Sequence, residues 1–351
     1  MRKEYIINGI QQIGIGVADA RTVFNWYRRY LGFDILVFED IATASLMTKY
    51  TADTAEERYA MLAVNLAGGG GLEIWQFKNR IPQPPKNTIQ FGDLGINAMK
   101  LRSLDIEAVH FRLESLGLES LTDIFDNAHF FFQDPWGNWV QVVADTYSFC
   151  ASKYSSGGVL GALIGVSEMN VAVQFYQKLL GYNLVISDST GDFHDLPGMA
   201  QGKKFRRVHL KHDKRAIGGF GELYGPSEIE LFQALDRTPN IIYKNRLWGD
   251  LGFIHLCFDL CGMDAMCTAA KNLGSPFTVD SAKSFDMGDA AGRFGYVEDP
   301  DGTLIELVET HKVPIFKKLG ISIDLKNRNR KKPLPKWLVR AMRVHRVSND
   351  L

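Results

Sequence analysis

The chain has 351 residues, enough for two domains or one large one. Its 46% hydrophobic and 23% charged content is that of an ordinary globular protein, which excludes a disordered or fibrous chain. Lys+Arg and Asp+Glu number 40 each, so no overall charge points to a polyanionic or polycationic partner. No run of about 18 apolar residues is present, so no transmembrane helix is expected. The opening MRKEYIINGI does not read as a secretory leader. Cys150, Cys257, Cys261 and Cys267 form no CxxC pair, and reduced thiols in a cytoplasmic protein are expected.

In chain order, IQQIGIGV (10–17) alternates at period two and reads as a strand. An amphipathic helix, TVFNWYRRYL, follows and ends at Gly32, a glycine C-cap. The unit closes with the strand GLEIWQF (71–77), and RIPQPPKN (80–87) leads out of it. A second unit carries AVHFRLESLG, capped at Gly117, and closes with DPWGNWVQVV (134–143). SFCASKYSSGG (148–158) has the Ser/Gly content of a linker. The third unit holds VAVQFYQKLLGYNLV (171–185) and EIELFQ (228–233). Between them, 187–205 is an insert expected to be a lid or disordered. The fourth runs from FIHLCFDL (253–260) through AMCTAAKNLG to DPDGTLIELV (299–308).

These elements repeat. Tyr27, Leu31 and Gly32 fall on Tyr176, Leu180 and Gly181, and Glu73 falls on Glu230. DPWGNWVQVV falls on DPDGTLIELV. One half is therefore a duplicate of the other. The expected fold class is α+β, with four β-α-β-β-β units at about 8–80, 92–147, 156–235 and 250–311. The expected domains are residues 1–150, residues 151–311 and a C-terminal extension, 312–351. From residue 311 onward there are 12 Lys+Arg and 2 Asp+Glu, leaving 28 against 38 for the rest. The extension, with a short helix at Lys336–Arg346, is expected to dock on the acidic body by charge complementarity. Basic character is confined to this tail, so no nucleic-acid partner is expected.

Strand parity gives the side chains that turn away from the helices. In 12–17 these are Gln12, Gly14 and Gly16, and in 253–260 they are His255, Cys257 and Asp259. Glu306 and Glu73 share that orientation, Glu73 together with Trp75. A carboxylate there needs a cation or a metal beside it.

Four such units, with the opening xxIGIGVxD and the closing EDPDGTLIELVE, resemble the vicinal oxygen chelate superfamily of glyoxalase, bleomycin-resistance and extradiol-dioxygenase proteins. The resemblance runs to residue 311. It implies that paired units curl their sheets into two cups with helices outside, each unit offering two positions to a shared metal. Those positions are Gln12 and Glu73, Ala98 and Gln141, Gly161 and Glu230, and His255 and Glu306. Pairing in chain order would give Gln12, Glu73, Ala98 and Gln141 in one site and Gly161, Glu230, His255 and Glu306 in the other. Pairing outer unit with outer unit instead gives a complete set, Gln12, Glu73, His255 and Glu306. It leaves Ala98, Gln141, Gly161 and Glu230 as a vestigial site.

The complete set resembles that of zinc-type glyoxalase I. The resemblance implies one divalent ion, zinc first, with nickel, cobalt, manganese or iron as alternatives. It implies a lyase or isomerase that moves a proton on a small substrate held through vicinal oxygens, with Glu306 as principal base and Glu73 on the opposite face. The Arg of glutathione-using relatives corresponds here to Gly16, and apolar Phe77 or its neighbours replace their Asn. Trp75 and Phe77 therefore suggest a more apolar ligand. Two rival readings stand: a metal-free protein that sequesters a small molecule, and an extradiol-type dioxygenase. The second is weakened because only His255 stands at a ligand position, while His129, His194, His209 and His212 do not. A monomer or weak homodimer is expected, since duplication supplies both partners of a cup.

Overall fold

In this computed structural model, residues 4–281, 285–287, 290–316, 321–325 and 328–348 are described. The first unit is β1 (Ile6–Gly16), α1 (Ala20–Leu31), β2 (Ile35–Thr43), β3 (Glu57–Val64) and β4 (Gly71–Phe77). The second is β5 (Gly95–Ser103), α2 (Ile106–Glu114), β6 (His129–Gln133) and β7 (Trp139–Ala144). The third is β8 (Ser156–Gly165), α3 (Met169–Phe175), β9 (Leu184–Gly191), β10 (Phe205–Lys211), a one-turn α4 (Gly221–Tyr224) and β11 (Glu228–Ala234). The fourth is β12 (Gly252–Cys261), α5 (Met263–Leu273), β13 (Val279–Asp280), β14 (Phe285–Met287), β15 (Ala290–Glu298) and β16 (Leu304–Phe316). The extension adds β17 (Ile321–Asp324) and α6 (Lys336–Arg340), which tightens into a 3₁₀ turn at Ala341–His345.

Local chemistry sets the helix ends. Asp19 and Asp105 cap α1 and α2 by accepting the backbone N–H of Thr22 and Ala108. Gly32, Gly181 and Gly274 end their helices in the left-handed conformation, which glycine adopts without strain. The second unit departs from the expected pattern by one strand. Its segment around Ser120–Phe125 makes only scattered bonds to β6, such as Thr122 N–H to Phe131 carbonyl at 2.9 Å. Asp126 and Asn127 then turn with positive φ.

Two mixed sheets result. In the first, the order β13-β15-β16-β12-β1-β4-β3-β2 joins the fourth unit to the first through antiparallel β1 and β12. In the second, β6-β7-β5-β8-β11-β10-β9 joins the second unit to the third through antiparallel β5 and β8. The units therefore pair outer with outer and inner with inner.

The helices lie between and outside these sheets. Val23, Phe24, Tyr27 and Leu31 of α1 and Ala172, Tyr176, Leu179 and Leu180 of the third unit are buried in one continuous core. Two equivalent hydrogen bonds tie the sheets together. Tyr27 donates to Asp134 at 2.8 Å, and Tyr176 donates to Asp299 at 3.0 Å. Each aspartate is the first residue of a repeated DPxG turn and also accepts backbone N–H groups of its own turn, Asn138 and Thr303. The repeat seen in the sequence is thus a buried Tyr–Asp bond made twice.

The insert after β9 is neither disordered nor a lid over the first cup. Leu196 and Ala200 are buried with Phe131, Leu163, Phe205 and Phe232, so the insert plugs the second cup. The extension docks mainly by apolar contact, in contrast to the expected charge complementarity. Leu334, Leu338 and Val339 are buried against Ile35, Val64, Leu66 and Leu223. Its basic groups stay peripheral, with Arg346 3.1 Å from Asp34 and Lys336 3.7 Å from Glu222. Burial of aliphatic side chains outweighs such exposed ion pairs. Leu338→Ala is therefore expected to destabilise the chain by roughly 2–4 kcal/mol, read as a lowered urea midpoint. An unchanged midpoint would mean that the extension is not held by this contact.

Candidate metal centre

β1 lies between antiparallel β12 and parallel β4. Gly14 faces His255 on one side and Glu73 on the other. A Cβ on residue 14 would stand 2.4 Å from His255 Cε1, so the imidazole occupies space that only glycine leaves free. Glu306 of β16 sits beside Cys257 of β12 and opposite Tyr296 of β15. Gln12 enters from β1, two residues before Gly14.

These side chains converge. His255 Nε2 is 3.2 Å from Glu73 Oε2 and 3.1 Å from Glu306 Oε2. Gln12 Nε2 donates to Glu306 Oε2 at 3.3 Å. His255 is 0% exposed, Gln12 4%, and Glu73 and Glu306 7% each, so the group is almost wholly buried. Burial lowers the basicity of His255, but the carboxylates of Glu306 and then Glu73 override it and raise the imidazole to about 9. Burial pushes Glu73 up, and the hydrogen-bonding and charge of His255 outweigh it to hold the carboxyl below its usual range. Burial, and then the same carboxylates, push the neighbouring Cys257 thiol well up, so it stays protonated.

The donor set fits a divalent cation. One ligand atom each from Glu73, His255 and Glu306 lies within 4.8 Å of the others. Gln12 Oε1, Glu73 Oε2 and both ring nitrogens of His255 lack a well-formed hydrogen-bond partner among the described residues. Buried polar atoms that point at one another without satisfying one another suit a central ion.

The other expected positions divide. Trp75 lines the cavity above the three residues and meets Trp248 edge-on, with ring centroids 4.4 Å apart. Phe77 does not line it; the Arg80 guanidinium covers its ring at 4.1 Å, and it packs against Trp248. Ala98, Gln141, Gly161 and Glu230 come together in the second cup through β5, β7, β8 and β11. Sequence reading missed Lys100, which lies directly across from both Gln141 and Gly161. Its ammonium is ion-paired with Glu228 and lies 2.9 Å from Glu230. Burial raises the Glu230 carboxyl, but Lys100 and then Arg207 pull it down to about 2. A lone lysine in the apolar strand INAMKLRS, two residues from Ala98, was the available signal.

A cavity of about 570 Å³ opens from the first cup. Its floor is Gln12, Glu73 and Glu306, and Trp75, Trp248, Phe294 and Tyr296 form part of its wall. Arg58 reaches into it from β3, its guanidinium 5.0 Å from the Trp75 ring. Trp248, Tyr296 and Arg58 carry no periodic or motif signal in the sequence.

Residues 9–142 match the family model of the Glyoxalase/Bleomycin resistance protein/Dioxygenase superfamily. Among solved structures, glyoxalase I from Zea mays is 13% identical, with a TM-score of 0.53 over 87% of this chain and 92% of that one. A point mutant of the same maize enzyme gives 0.54 at 13% identity, covering 88% and 94%. A putative dioxygenase from Bacillus subtilis also gives 0.54 at 13% identity, covering 87% and 86%. At such identities the likeness is one of fold, and it covers both halves of the chain. No curated protein matches the chain. No helix among the described residues is long and apolar enough to cross a membrane.

Gly14→Ala is expected to displace His255 and lower metal content well below one per chain, measured by elemental analysis after loading. A metal requires the neutral imidazole, whereas His255 with a value of about 9 is protonated at neutral pH. Metal uptake at pH 7 should therefore release about one proton, and affinity should rise with pH until about 9 and then level. Calorimetry in buffers of different ionisation heat measures this directly. Uptake without proton release would mean that His255 is already neutral in the metal-free chain or is not a ligand.

Proposed function

We propose that the chain is a metal-dependent lyase or isomerase of the glyoxalase kind, acting by proton transfer on a small substrate with two neighbouring oxygens. The observation that carries this reading is the convergence of Glu73, His255 and Glu306 at the floor of a cavity large enough for a small molecule. Glu73, His255 and Glu306 would hold the ion, with Gln12 as a fourth ligand through its amide oxygen. Bound there, a divalent ion, zinc foremost, supplies Lewis acidity toward the substrate oxygens.

The remaining chemistry belongs to the chain. Glu306 takes the proton adjacent to the substrate carbonyl and returns it at the next carbon, while Glu73 stands on the opposite face. His255 stays fixed between two carboxylates and does not carry the proton. Trp75, Trp248 and Tyr296 exclude water from the reacting carbon. Gly16 brings no side chain that could pair with a glutathione carboxylate, and a Cβ there would collide with the Asp250 carbonyl at 2.1 Å. The substrate class is therefore more apolar than a glutathione adduct. The second reading, a sequestering protein without chemistry, draws on the same apolar wall. Both readings take a small molecule as partner and expect a monomer or weak homodimer in the cytoplasm, where its four free thiols stay reduced.

The test is proton exchange. Wild-type protein loaded with zinc should exchange the α-proton of some member of a panel of 2-oxoaldehyde–thiol adducts and 2-oxo or 2-hydroxy acids with deuterated water. Glu306→Gln should keep near-normal metal content and lose exchange by roughly 10²-fold or more, because an amide has no useful basicity. Glu73→Gln should lose less if one face is used. Exchange at the wild-type rate by Glu306→Gln excludes the proton-shuttle mechanism. A wild-type chain that takes up no metal leaves the sequestering reading.

A further inference from the structure

The cavity above the candidate metal centre is not closed by the two outer units alone. Leu334, Leu338, Val339 and Met342 of the extension line it, as do Ala341, Val344 and His345 at its rim. These residues share the lining of one cavity with the polar groups of Gln12, Glu73 and Glu306. The segment is anchored independently of any ligand. Leu334 N–H donates to the Gly219 carbonyl and Val347 N–H to the Asp34 carbonyl, each at 2.9 Å. Leu338 and Val339 are 8% and 3% exposed, whereas Met342 is only partly buried and its side chain borders open volume.

We propose that the C-terminal segment 334–345 is the specificity-determining wall of the cavity, and that the ligand is amphipathic. One end would carry two vicinal oxygens, directed at Glu73, His255 and Glu306; the other is an alkyl chain or aromatic ring lying against Leu338 and Met342. This inference rests on the proposed function for the polar end and on the geometry of the extension for the apolar end. Three features support it. Arg58, a charged group of the lining, is already engaged by the Asp40 carboxylate at 3.1 Å. Apart from His345 at the rim, segment 334–345 contributes aliphatic and thioether surface, and no acidic group, to the lining. A methionine with three free rotations adapts to apolar ligands of varied shape, which suits a wall that selects by length and girth more than by hydrogen bonding.

Two measurements on the full-length protein separate this inference from the reading it builds on. The first is binding of the neutral fluorophore N-phenyl-1-naphthylamine to metal-free protein. The second is binding of straight-chain alkyl hydroxamates, from four to ten carbons, to zinc-loaded protein. A hydroxamate presents two neighbouring oxygens to a metal and an apolar tail of chosen length. Wild type should bind the fluorophore, and hydroxamate affinity should rise by about fourfold per added methylene until the cavity is filled. Met342→Trp, which fills the space, should weaken the fluorophore at least tenfold and move the optimum to shorter chains. Met342→Ala should move it to longer ones. Metal content and thermal midpoint serve as controls, and both should stay near wild type. Fluorophore binding by Met342→Trp equal to wild type, or hydroxamate affinity independent of chain length, overturns the wall. Fluorophore binding that responds to Met342 in a chain that takes up no metal upholds the wall and removes the lyase reading.

Discussion

The pairing of β1 with β12 is the constraint on which the rest of the site depends. It joins strands from opposite ends of the chain and sets Gly14 opposite His255. Gln12 and Glu73 come from one unit and His255 and Glu306 from another, so no single unit holds the donor set. Register enforces the arrangement. A slip of one residue would turn His255 toward the helices and bring Ile13 or Ile15 into the cup. The apolar face of β1 is buried completely, Ile13 and Ile15 both at 0% exposure, so such a slip costs a large part of the core. The site geometry is therefore held by packing on the far side of the same strand.

Much of this was legible in the sequence. Duplication, the glycine caps and the DPxG turns are local signals that survive in the fold, and strand parity placed Gln12, Glu73, His255 and Glu306 on one surface. The crossed pairing was favoured by the family resemblance together with the donor types, because that partition gathers Gln12, Glu73, His255 and Glu306 in one site. What was not legible depends on partners distant in the chain. Lys100 reads as one polar residue in an apolar strand until Glu228 and Glu230 arrive from 128 and 130 residues away. The insert reads as a polar loop because only Phe193, Leu196, Met199 and Ala200 form the plug. The extension reads as a basic tail because its charges outnumber the three side chains that dock it.

The two cups show one electrostatic problem solved in two ways. Each buries two carboxylates, with Glu73 and Glu230 at equivalent places, and burial without compensation is costly. In the second cup the compensation is covalently attached: Lys100, with Arg207 beside it, supplies permanent positive charge, and aromatic side chains and the insert fill the remaining space. In the first cup Cys257, a neutral thiol, stands where Lys100 stands in the second, since each lies directly across from the closing position, Glu306 or Gln141. The compensation there falls to a single imidazolium, one positive charge against two carboxylates.

That difference decides which cup can work. A fixed ammonium cannot be exchanged for a ligand, and a filled cup has no room for one. The first cup keeps its charge balance incomplete by one unit and its volume open. A divalent cation with a neutral His255 brings two carboxylates to neutrality, and a protonated His255 without metal does not. The structure therefore favours, at the floor of the open cup, the replacement of a proton by a metal ion. The same step frees the imidazole nitrogen as a ligand. Above that floor, the wall contributed by the extension sets what else the cup admits. Lysine in one half and cysteine in the other, at one position of a duplicated strand, thus separates a buried ion-pair cluster from an open cup whose donor set fits a divalent cation.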